Sequence, residues 1–75
     1  MKSVQILLDR HDKVKDFVNT VQKYPFDIDL RSGRYLIDAK SILGIFSLDL
    51  SKVINVEIHC DDCGKLIEEL TEFAV

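Results

Sequence analysis

Four stretches of this 75-residue chain alternate apolar and polar positions. Val4, Ile6 and Leu8 alternate with Ser3 and Gln5, although Leu7 breaks the strict pattern. Phe26, Ile28 and Leu30 alternate with Asp27, Asp29 and Arg31; Tyr35, Ile37 and Ala39 with Leu36 and Asp38; Ile54, Val56 and Ile58 with Asn55, Glu57 and His59. A period of two suits extended chain with one buried face, so each stretch predicts a strand. Ser32-Gly33 makes a tight turn that joins the second and third strands as a hairpin.

Helical spacing falls between these stretches. Val14, Phe17, Val18 and Val21 stand at i, i+3, i+4 and i+7, which predicts an amphipathic helix from about His11 to Lys23. Pro25 ends it, because a proline pushes the preceding residue out of the α region. Leu66, Ile67, Leu70 and Phe73 make the apolar stripe of a last helix. Asp9 or Asp12 is the expected cap of the first helix, and Asp61 or Asp62 of the last. Between them Ser41 offers a hydroxyl to the free N–H groups of a short second helix, with Asp49 to Lys52 as the loop that follows.

The order is therefore β-α-β-β-α-β-α. Strands with one apolar face each need a cover, which helices supply most simply from one side, giving an α+β, two-layer open-faced sandwich. The expected core holds Val4, Ile6, Phe17, Val21, Ile28, Leu30, Ile37, Ile54, Val56, Ile58, Leu66 and Leu70. The length allows one domain, residues 1–75. The short central helix is too apolar for one buried face. Ile45 and Leu48 point inward, while Ile42, Leu43 and Phe46 are at least partly left over as a docking surface or the contact of a homodimer.

Charge narrows the functional classes. The net charge is −3 with acidic and basic residues interspersed, which argues against nucleic-acid binding. No apolar run approaches the roughly 20 residues of a membrane span, and the N-terminus lacks the pattern of a signal peptide. Two cysteines without a secretory signal point to a reducing, cytoplasmic setting.

The run from Ala39 to Leu48, AKSILGIFSL, resembles the AKS-I-x-G-x-x-SL segment of the histidine-containing phosphocarrier protein (HPr) family of the bacterial sugar phosphotransferase system. The resemblance runs without gaps from Phe17 to about Ile58 and resumes in the last helix. It implies a four-stranded antiparallel sheet with three helices on one face, no catalytic activity of its own, no cofactor, and protein partners. Those partners are phosphotransferase enzymes, an HPr kinase or a transcription regulator. In the family a Gly-Leu-His-Ala-Arg-Pro-Ala segment opens the first helix, and its histidine carries the phosphoryl group. Aligned without gaps, the histidine position here holds Arg10, and the glycine, arginine and proline positions hold Leu8, Asp12 and Lys13. His11 stands one position later, and a one-residue deletion would make it the acceptor, with Lys13 at the arginine position. Asp9 and Asp12 on either side would repel an incoming phosphoryl group.

Ser41 matches the serine that a dedicated kinase phosphorylates in HPr of many Gram-positive bacteria. Some family members, the catabolite-repression HPr-like proteins, lack the histidine, keep the serine and act through a transcription regulator. The resemblance also implies a partner face at Ile42, Leu43 and Phe46, which Arg10, Lys13 and Lys40 would by their charge border as a basic rim that steers an acidic partner. The reading favoured here is a regulatory or docking module that transfers no phosphate, with a phosphocarrier using His11 as the alternative. A third reading rests on Cys60-Asp61-Asp62-Cys63, whose C-x-x-C spacing suits a redox pair or, with His59, three ligands of a metal site. Two aspartates between the thiols disfavour a thiolate, and a closed metal site normally has four ligands.

Overall fold

A computed structural model describes residues 1–75. Four strands, β1 (Lys2–Ile6), β2 (Ile28–Ser32), β3 (Tyr35–Asp38) and β4 (Ile54–Ile58), form one antiparallel sheet in the order β1-β4-β2-β3. Helices α1 (His11–Val21), α2 (Ile42–Phe46) and α3 (Gly64–Leu70) cover one face, and a 3-10 turn, Thr71–Phe73, extends α3. The architecture is the α+β sandwich that the periodicity predicts.

The core lies between the two layers, and all 18 of its buried residues are apolar. Ile6, Ile28, Leu30, Ile54, Val56 and Ile58 supply the sheet side, and Val14, Phe17, Val18, Val21, Leu66 and Leu70 the helix side. Phe17 meets Phe73 edge to face at 5.7 Å and 85°, tying α1 to the turn after α3. The hairpin turn takes Gly33 to a φ of +58°, while Arg34 keeps negative φ. That places glycine at the first central position of a type II′ turn, whose twist matches the strands it joins.

Val4 and Ile37 depart from the expected core and are only half-buried. They lie on the two outer strands of the sheet. Ile37 is roofed only by the short α2, where an ideal Cβ on Gly44 would stand 3.5 Å from its Cδ1. β1 ends at Ile6 rather than Leu8, because the Leu7 N–H donates to the Phe73 carbonyl at 3.0 Å instead of continuing the ladder. α1 ends at Val21, two residues short of the expected Lys23.

The aspartate caps are also corrected. Arg10 is the N-cap of α1 and makes no side-chain cap, so Asp12 sits inside the first turn, where a carboxylate still complements the helix dipole. α3 starts after Cys63, which is drawn into the core, and Asp61 and Asp62 are left in the turn before it. Asp61 accepts a hydrogen bond from the N-terminal amine at 3.2 Å.

Candidate functional site

The first turn of α1 and the short α2 form one surface. α2 begins as its sequence dictates: Ser41 is extended (φ −97°, ψ 100°), and its Oγ accepts the Gly44 N–H at 3.3 Å. Gly44 allows that approach, since a Cβ there would lie 3.2 Å from the Ser41 Oγ. Ile45 and Leu48 go into the core, while Leu43 is 81% exposed and Phe46 39% exposed. Ile42 is half-buried against the core and contributes only its edge to this surface.

Exposed His11 stands across from α2, its ring edge to face with Phe46 at 5.1 Å and 76°. The acidic neighbours of His11 are already engaged. Arg10 Nη2 donates to Asp12 Oδ2 and Lys13 Nζ to Asp9 Oδ1, both at 3.2 Å. Two positive and two negative groups thus surround the imidazole as local pairs, so the repulsion expected from Asp9 and Asp12 is largely offset.

Of the predicted rim, Arg10 and Lys13 are at this surface and Lys40 is not. The Lys40 ammonium donates to the carbonyls of Tyr24 at 2.7 Å and Phe26 at 3.1 Å. It ties the chain before α2 to the segment between α1 and β2, a structural role that side-chain periodicity cannot reveal. None of the three hollows on the molecule is lined by His11, Leu43 or Phe46. An exposed apolar surface without a cavity suits another protein better than a small molecule.

His59, Cys60 and Cys63 do not converge on a metal site. His59 Nε2 pairs with Asp29 Oδ2 at 2.8 Å across the outer sheet face. The Cys63 thiol is buried and donates to the Cys60 carbonyl at 3.6 Å, while the Cys60 thiol turns to the Asp62 carbonyl at 3.5 Å. No group of three or more histidine, cysteine or acidic side chains is arranged to hold a metal ion. Both cysteines are free thiols.

A family model described as the PTS HPr component phosphorylation site matches residues 13–74. The chain belongs to the HPr family. A search of the curated proteins returns no match. Among solved structures, HPr-C-His from Thermoanaerobacter tengcongensis is 29% identical with a TM-score of 0.80, covering 96% of this chain and 89% of that one. The phosphocarrier protein HPr from Bacillus anthracis str. Ames is 25% identical with a TM-score of 0.76, covering 99% and 94%. The HPr match begins at Lys13, just past the first-turn residues Arg10, His11 and Asp12. HPr proteins are phosphocarriers of the phosphotransferase system rather than catalysts, and no helix of this chain is long and apolar enough to cross a membrane.

Proposed function

We propose that this HPr-family chain is a cytoplasmic docking module that binds a protein partner through α2 and the first turn of α1 without relaying phosphate. The observation that carries this reading is the division of α2: Ile45 and Leu48 build the core, while Leu43 stands in solvent and Phe46, touched by His11, stays partly exposed. An aromatic and an aliphatic anchor side by side are typical material for the centre of a protein interface. The residue at the family's acceptor position, Arg10, caps α1, and a guanidinium has no free lone pair with which to attack phosphorus. Arg10 and Lys13 at the edge of the face favour an acidic partner, raising association rate more than affinity.

Ser41 is the proposed point of control. Its hydroxyl is exposed at the start of α2, beside Leu43. Phosphorylation there would add close to two negative charges next to an apolar contact, repelling a partner shaped for the neutral face or recruiting one with an arginine cluster. The partners to try are those of the family: the phosphotransferase enzymes, an HPr kinase and a transcription regulator. Calorimetric titration of these with wild type and Phe46→Ala tests the reading. The variant should fold normally and lose about 2 kcal/mol of binding. Equal affinity for both proteins would contradict it.

The contact of His11 with Phe46 favours a second reading, in which His11 is a phosphoryl acceptor set into the same face. The two readings share the docking surface and differ in whether phosphate moves.

A further inference from the structure

The two edges of the sheet are finished differently. The C-terminal end of the β1 edge is covered by the last residues of the chain through the Ile6–Ala74 bridge, the Leu7 N–H to the Phe73 carbonyl, and the Val75 N–H to the Gln5 carbonyl. The β3 edge carries no proline, lysine or bulge of the kind that usually blunts an open edge, and Tyr35 and Leu36 are 64% and 51% exposed there.

The register shows which groups are free. Tyr35 pairs with Ser32 and Ile37 with Leu30, and the Ala39 N–H donates to the Ile28 carbonyl at 2.9 Å. Odd-numbered residues therefore direct their backbone groups to β2, and in an antiparallel ladder the even-numbered ones direct theirs outward. The Asp38 carbonyl accepts the Ser41 N–H, which leaves the Leu36 N–H and C=O and the Asp38 N–H open at the edge.

We propose that β3 pairs with β3 of a second copy of this chain, antiparallel and centred on Leu36. The charges select that occupant and that register. Arg10 and Arg31 are engaged by Asp12 and Glu57, whereas Arg34 has no partner within its own chain. Pairing centred on Leu36 sets Arg34 of each copy opposite Asp38 of the other and Leu36 against Leu36. The two Leu36 residues exchange N–H···O=C bonds, and each Asp38 N–H meets an Arg34 carbonyl. Sliding the register by two residues separates the charges and leaves Leu36 uncovered. The result is one eight-stranded sheet with both helix layers on the same face.

Sedimentation velocity on the full chain, from about 10 µM to about 1 mM, tests the proposal with variants checked for folding by circular dichroism. Leu36→Pro removes an outward N–H and none that holds β3 to β2, so it suits an edge position. Arg34→Glu sets like charges opposite. Each should weaken dimerisation at least about tenfold. An equimolar mixture of Arg34→Glu and Asp38→Arg should regain the dimer that each loses alone. A wild-type chain that stays monomeric throughout, a dimer that survives either single variant, or a mixture that does not recover would overturn the proposal. A dimer lost to Phe46→Ala instead would place self-association on α2 and overturn it equally.

Discussion

At the scale of single residues, Tyr24 and Glu69 show how one contact couples fold to pH. The Tyr24 hydroxyl donates to Glu69, and this bond, partial burial and the nearby negative charge together push the phenol from 10.0 up to about 12. A pKa raised by folding stabilises the native state below the unfolded value and is lost as pH climbs through the folded one. Stability should therefore fall between pH 10 and about 12, and Tyr24→Phe should flatten that fall and remove the late component of the phenolate absorbance titration. Glu69 moves the other way. Lys23 first and Tyr24 second hold its carboxyl below the ordinary value, so its contribution is present above the unfolded pKa and fades on acidification. Ser41 gives a second check at this scale. Ser41→Ala leaves the Gly44 N–H without its partner and should cost about 1 kcal/mol in denaturant unfolding, the usual cost of a lost N-cap.

At the scale of elements, stability sits in the layer between sheet and helices. Leu30→Ala and Ile58→Ala each empty a fully buried position on β2 or β4 and should cost about 2–5 kcal/mol in chemical denaturation. Removing the exposed Arg31–Glu57 pair from the outer face of the same strands should cost no more than about 1 kcal/mol. This contrast also explains what was legible in the sequence. Strands and helices followed from alternation and from the i, i+3, i+4 spacing because one-sided burial imposes those periods. Ser41 could be read as a cap because the short helix had to start just after it. The aspartate caps were misplaced because Cys63 is pulled into the core and Arg10 takes the cap position, choices made by tertiary packing. Lys40 reads as a surface cation on its spacing, yet the approach of the Tyr24–Phe26 segment draws its ammonium to two carbonyls. The pairing of His11 with Phe46 joins residues far apart in the chain, so no local pattern announces it.

At the scale of the whole molecule, the HPr fold is kept with a first turn of α1 that reads Arg10-His11-Asp12. The core reaches into the segment that opens α1 through Leu8 and Val14, both fully buried, while the residues between them stay outside it. Those intervening residues can therefore differ from the family's without disturbing the core, as the proposed docking role requires. Two ion pairs balance the charge around His11, and Leu43 and Phe46 expose apolar surface beside it. The most direct test is to incubate the protein with the general phosphotransferase enzyme and phosphoenolpyruvate and to follow its intact mass. The docking account predicts no phosphate on the chain, with wild type and His11→Ala indistinguishable. An acid-labile phosphate on wild type that His11→Ala abolishes would contradict it and make His11 the carrier.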